Sequence, residues 1–178
     1  VKEVMLDIET LGVEPGCVIL SIGATDGKTD FNVHIDVEDS VKQGLIIEPR
    51  TTIWWMGQSD EARKLISQPG TPLLSALTLF SKAFDWKNSR VWCNGASFDF
   101  PILKAAFSLV GMSLPWPYYS EMDFRTVKNF VTKANFDKVR VKAEVAHDGL
   151  ADAHAQLATL NKLIDHLNEN YIYFERAA

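Results

Sequence analysis

The stretch Met5-Leu6-Asp7-Ile8-Glu9-Thr10 is short, apolar on either side and β-prone, so residues 2–8 read as a strand. On a strand, residues two apart share a face, which puts Asp7 and Glu9 side by side. Two neighbouring carboxylates inside an apolar strand repel each other and are costly to bury. A divalent cation between them removes both costs. Taken alone, the pair reads equally well as an edge strand carrying two solvated acids.

Working outward, Gly12, Pro15 and Gly16 form a turn. Cys17–Ala24 is apolar enough for a central strand. Asp26-Gly27-Lys28 is a hairpin signal, and Thr29–Ile35 is a third strand, with Phe31, Val33 and Ile35 on one face. The sheet therefore opens with an antiparallel meander. Residues 36–50 read as irregular, and Thr51–Trp55 as a short helical turn. Ser59 caps a helix that ends before Pro69. Thr71 caps the next, with Pro72 at its first position, and that helix runs to about Trp86. Arg90–Asn94 is a fourth strand, followed by a helix over Phe98–Val110 that Gly111 stops. Tyr118–Met122 is a short fifth strand, Thr126–Lys133 a helix, and Leu150–Asn168 a long final helix. This order is that of an α/β fold of the ribonuclease-H-like type: a mixed five-stranded sheet with an antiparallel β1-β2-β3 meander, flanked by helices.

The 178 residues suit one domain spanning 1–178. Hydrophobic residues make up 47% and charged residues 23%, a globular composition and not a disordered one. Cys17 and Cys93 lack metal-type spacing and read as reduced thiols, and no stretch is apolar enough to span a bilayer, which together point to the cytoplasm without a membrane partner. A net charge of −5 argues against a basic face that coats duplex nucleic acid. It leaves room for an enzyme that grips a strand end through metal ions.

Two more acidic sites stand out. Asp99, in Asn94-Gly95-Ala96-Ser97-Phe98-Asp99, lies in the first turn of a helix leaving a strand end. There it either helps cap that helix or serves as a ligand. Asp152 lies at the start of the final helix, with His147 five residues before it on a loop, a general-base position. Asp148 reads as the cap of that helix.

Asp7-Ile8-Glu9-Thr10, Asn94…Phe98-Asp99 and His147…Asp152, in that order, resemble the three motifs of the DEDD exonuclease superfamily in its histidine-containing (DEDDh) branch. That branch includes oligoribonuclease, ribonuclease T and the proofreading subunit of bacterial replicative polymerase. Thr52-Ile53-Trp54-Trp55, Gln58–Arg63, Asp123-Phe124-Arg125-Thr126 and His147–Ala153 are similar to the subgroup that includes phage exonuclease A and a mycobacterial exoribonuclease. Gly149 departs from this pattern, where alanine is commoner, and is expected to loosen the helix start.

The resemblance implies a 3′–5′ exonuclease acting on single-stranded DNA or RNA 3′ ends and releasing nucleoside 5′-monophosphates. Asp7, Glu9, Asp99 and Asp152 would hold two Mg²⁺ or Mn²⁺ ions, hard cations suited to oxygen-only ligation, and His147 would act as general base. Two divalent ions would bring the charge of −5 close to neutrality. Thr10, Leu11, Trp54, Trp55, Asn94 and Phe98 are the candidate substrate contacts. One of the two tryptophans would pack inward, and the other would offer a stacking platform for a base. Arg125 reads as structural, pairing with Asp123 to position a loop, with a phosphate contact as the alternative. Lys133, Lys138, Arg140 and Lys142 form a mildly basic stretch, either a solvated face or an electrostatic guide for the strand. By the same likeness the protein would form a homodimer. Two other readings share the fold: a ribonuclease-H-type endonuclease, against which His147 speaks, and a nucleic-acid-binding module, against which the full set of acids speaks.

Overall fold

The computed structural model describes residues 1–143 and 148–170. Its sheet has the order β3-β2-β1-β4-β5. β1 (Lys2–Thr10) lies at the centre, antiparallel to β2 (Ile19–Thr25), which in turn pairs antiparallel with β3 (Asp30–His34). On its other side β1 pairs parallel with β4 (Ser89–Cys93), and β4 pairs parallel with β5 (Glu121–Asp123). This is the mixed five-stranded ribonuclease-H-like sheet expected from the sequence.

The alternation along β1 divides the core in two. Val4, Leu6 and Ile8 enter a large cluster with Leu73, Leu77 and Phe80 of α4 (Leu73–Ser81) and Ile102, Leu103 and Phe107 of α5 (Asp99–Leu109). Met5 points the other way, into a second cluster with Trp92 and with Ala153, Leu157, Leu160 and Leu163 of α8 (Gly149–Asn170). Asp7 and Glu9 continue the Met5 row, so the strand's period of two aims both acids at the helix side. A β-bulge between Glu9 and Thr10 ends the regular pairing with β2 just past this pair.

α8 lies across β1 and β2, and two glycines set how closely its first turn approaches. A Cβ on Gly23 would stand 2.1 Å from the Leu150 nitrogen, and one on Gly149 would stand 3.0 Å from the Asp7 carbonyl oxygen. Gly149 is therefore a close-packing residue between the helix and β1, where the sequence suggested a loosened helix start. A side chain at either position would push the helix N-terminus, and Asp152 with it, away from the strand.

Several boundaries differ from the sequence reading. Residues 36–50 contain a helix, α1 (Val37–Gln43), whose N-cap Asp36 accepts from the Asp39 N–H and which stops at left-handed Gly44. α2 (Pro49–Met56) is a full helix and not a single turn. α3 (Asp60–Ser67) starts as expected from Ser59, whose hydroxyl accepts from the Ala62 N–H. α4 is capped by Pro72, one residue later than expected, and ends at Ser81. Trp86 lies instead in a separate 3₁₀ turn, its indole donating to the Phe80 carbonyl (3.2 Å) and its ring packed on Phe80 and Trp116. Phe80 and Phe84, four apart, supply the apolar spacing that reads as a longer helix. Tyr118–Ser120 is a 3₁₀ turn, which shortens β5 to three residues. The helix expected over Thr126–Lys133 is α6 (Phe124–Lys128), and a further helix, α7 (Lys133–Val139), follows. No helix among the described residues is long and apolar enough to cross a membrane.

Candidate active site

Three acids from two distant parts of the chain converge. Carboxylate oxygens of Asp7 and Glu9 on β1 and of Asp152 on α8 all lie within 4.8 Å of one another. Asp99, at the first position of α5, is 4% exposed. It accepts hydrogen bonds from the Ile8 N–H, its own N–H and the Cys93 thiol, which fix it against β1. Asp148 accepts from the Ala151 N–H (2.9 Å) and so caps the first turn of α8.

These carboxylates act on one another. Burial raises Asp7 well above the usual carboxylate range, and Asp99, Glu9 and Asp152 raise it further, while a hydrogen bond from Gln156 opposes the rise. Burial, then Asp152 and Asp99, pushes Glu9 up to about 8. Burial also lifts Asp99 to about 7, against the pull of its hydrogen-bond donors and of Arg125. Anions gathered at such a cost, with oxygen donors only, fit hard divalent cations. His147 lies outside the described residues.

Gln156 is a site residue that the sequence reading missed. One turn beyond Asp152 on α8, its Nε2 donates to Asp7 Oδ1 at 2.9 Å, and its buried Oε1 has no hydrogen-bond partner among the described residues. The i, i+4 spacing from Asp152 was visible in the sequence, but Asp7 as its neighbour was not.

A cavity of about 450 Å³ opens beside Glu9, lined by Ile8, Thr10, Arg50, Thr51, Trp54 and Phe98 among others. The tryptophans divide as the helical turn requires. Trp55 is 1% exposed and its indole donates to the Thr10 carbonyl (2.8 Å), which ties α2 to the end of β1. Trp54 is 48% exposed, its ring edge-on to that of Trp55. Thr10 donates through its hydroxyl to the Gly12 carbonyl (2.6 Å), and Phe98 is half-buried at the cavity wall. Leu11 is buried beneath this surface and lines neither of the cavities beside the acids. We expect Trp54→Ala to raise KM for an oligonucleotide by roughly 5- to 100-fold, the loss of one stacking contact. Trp55→Ala should instead cost about 3–5 kcal/mol of stability. Urea unfolding alongside steady-state kinetics separates the two, and equal effects from both variants would contradict this division.

Asn94 stands on the other side of the acids. Its carbonyl accepts from Arg125 (2.7 Å) and its side-chain oxygen from Lys128 (2.8 Å). The Arg125 guanidinium lies over Gly95, where a Cβ would stand 2.8 Å from it. Arg125 thus positions a loop, as expected, but through the Asn94 carbonyl at the turn that leads into α5 and not through the expected pairing with Asp123. Despite partial burial, donors from Thr126, Ala96 and Arg125 hold Asp123 below the usual carboxylate range, and it caps α6.

The family of 3′–5′ exoribonuclease Rv2179c-like domains matches this chain over residues 2–164. The chain belongs to that family. It is a DEDD-type 3′–5′ exonuclease domain. Its sequence is 26% identical to the exodeoxyribonuclease of Enterobacteria phage T4, over 85% of this chain and 78% of that protein. An exonuclease I structure superposes with a TM-score of 0.66 at 14% identity, covering 93% of this chain and 41% of the other. The zinc-ion-bound E. coli ExoI–ssDNA complex gives 0.66 at 13% identity, covering 96% and 41%. Exonuclease I from Methylocaldum szegediense gives 0.62 at 13% identity, covering 96% and 41%. The chain spans about two fifths of the length of these exonuclease I chains, and at this identity the likeness is one of fold.

Proposed function

We propose that this domain hydrolyses the terminal phosphodiester at the 3′ end of single-stranded DNA or RNA and releases nucleoside 5′-monophosphates. The observation that carries the reading is the meeting of Asp7, Glu9 and Asp152 within 4.8 Å, beside a cavity walled by Trp54 and Phe98. Asp7, Glu9, Asp99 and Asp152 would hold two Mg²⁺ or Mn²⁺ ions. When bound, these neutralise charge at the phosphoryl oxygens and make water acidic enough to attack at neutral pH. Gln156 orients Asp7 through its 2.9 Å hydrogen bond. The apolar cavity takes the terminal nucleoside, with Trp54 stacking on the base. Asn94 is held by Lys128 and Arg125 at the opposite edge, where the penultimate nucleotide would leave the site. His147 accepts the proton of the attacking water. The unit is read as one domain over 1–178. Its free, buried Cys17 and Cys93 suit a reducing cytoplasm, and a homodimer is the assembly to test by light scattering.

The test is a labelled oligonucleotide with Mg²⁺, offered as matched DNA and RNA, single- and double-stranded. Single-nucleotide steps from the 3′ end support the reading. Internal cuts would favour a ribonuclease-H-type endonuclease, and retention without cutting a binding module. His147→Ala is expected to lower kcat by about 10²-fold or more while Mn²⁺ still binds. A rate equal to that of the unaltered protein across pH 6–9 would remove His147 from the mechanism.

A further inference from the structure

A second cavity, of about 460 Å³, opens on the Asp152 side of the acids, between α6, α7, the segment that follows α7, and α8. Lys128, Arg140 and Lys142 line it, with Asn94, Phe136 and Gln156 among the other walls. The Lys128 side chain and the backbone that carries Arg140 and Lys142 are held in place. Lys128 donates to Asn94 (2.8 Å) and lies over the rings of Phe124 and Phe136, 5.2 and 5.9 Å from their centroids. The Val141 N–H, between Arg140 and Lys142, donates to the Thr159 hydroxyl (2.9 Å), which ties that segment to α8.

Among the described residues, none of these three cations is in a salt bridge. The carboxylates near them are already engaged: Asp123 caps α6, and Asp152 belongs to the acidic cluster. Burial, with Arg125 and Arg140 nearby, pulls Lys128 below the usual lysine range against the opposing pull of Asp123. Like charges gathered without salt-bridge partners of their own favour an anion between them. The two cavities flank the acids, the aromatic one reaching Glu9 and the cationic one reaching Asp152. A strand end whose terminal base fills the first and whose scissile phosphate sits at the acids must lead its next phosphate toward the second.

We propose that the groove lined by Lys128, Arg140 and Lys142 is a second phosphate site, which holds the backbone phosphate one nucleotide to the 5′ side of the scissile bond. This rests on the exonuclease reading above. The test uses the full chain and a single-stranded oligonucleotide of about twelve residues. In one version a neutral methylphosphonate replaces the linkage next to the scissile one. In another it lies near the 5′ end. Removing the adjacent charge should slow the first cleavage about tenfold or more, and removing the distant charge should not. In the doubly substituted Arg140→Ala, Lys142→Ala protein the adjacent linkage should matter by less than about twofold, and the salt dependence of kcat/KM should flatten. Arg140→Lys should keep the discrimination. Both positions are exposed, so the variants should fold. Equal rates on all three oligonucleotides, or discrimination that survives the double substitution, would overturn the phosphate site while leaving the exonuclease reading intact. No release of monophosphate from any of them would overturn both.

Discussion

Asp7→Ala will lower turnover on a single-stranded oligonucleotide by about 10³-fold or more. The size follows from where Asp7 stands. Asp99, Glu9 and Asp152 all raise it, and its carboxylate lies within 4.8 Å of those of Glu9 and Asp152. A cation held by Glu9 and Asp152 would also be near Asp7, and losing that oxygen donor would weaken its binding. Asp7→Asn makes the argument sharper. The amide keeps an oxygen that can accept from Gln156, as the carboxylate does at 2.9 Å, but it carries no charge. The variant should therefore be as inactive as the alanine protein. Without metal it should melt no lower than the unaltered protein at pH 8, because the amide carries no charge for burial and the neighbouring acids to oppose. Turnover within tenfold of the unaltered protein, in either variant, would refute the assignment of Asp7.

The fold was legible wherever one local pattern had one meaning. The period of two along β1 placed Asp7 and Glu9 on one face, and the Asp26-Gly27-Lys28 hairpin fixed the register of the meander. Asp99 was legible as a helix-start acid, but its burial against β1 is tertiary. Patterns with two meanings misled. Phe80 and Phe84 have helical spacing, yet each meets Trp86 edge-on across a break in the helix. Residues 36–50 carried a capping aspartate and a terminating glycine, but their polar composition hid α1. Gly149 read as slack because a sequence shows a missing side chain and not the strand packed against it. Gln156 and Lys128 were out of reach for the same reason. Each is an ordinary helical residue until packing brings Asp7 or Asn94 to it.

Raising the pH will destabilise the metal-free protein, and a divalent cation will reverse the effect. Burial and mutual repulsion push Glu9 up to about 8 and Asp99 to about 7, and raise Asp7 as well. In the unfolded chain the same groups titrate near ~4. Between these values the folded state binds more protons than the unfolded one, so stability falls as pH rises. This contribution is complete below about pH 4 and is lost as pH climbs through 7 and 8. Asp26, Asp30 and Asp123, whose values are lowered, act in the opposite sense and only at acid pH, so a scan that starts at pH 5 avoids them. A few kcal/mol lost over this range corresponds to a fall in Tm on the order of 10 °C between pH 5 and 9 for a domain of this size. Cations bind the ionised carboxylates and compete with protons. Mn²⁺ should therefore raise Tm at pH 8 by most of that amount and at pH 5 by little. Asp7→Asn should flatten the metal-free profile and shrink the Mn²⁺ shift. Calorimetry across pH with and without Mn²⁺ decides the matter: a level metal-free profile, or an equal Mn²⁺ shift at pH 5 and pH 8, would mean that these carboxyls do not share one desolvated site.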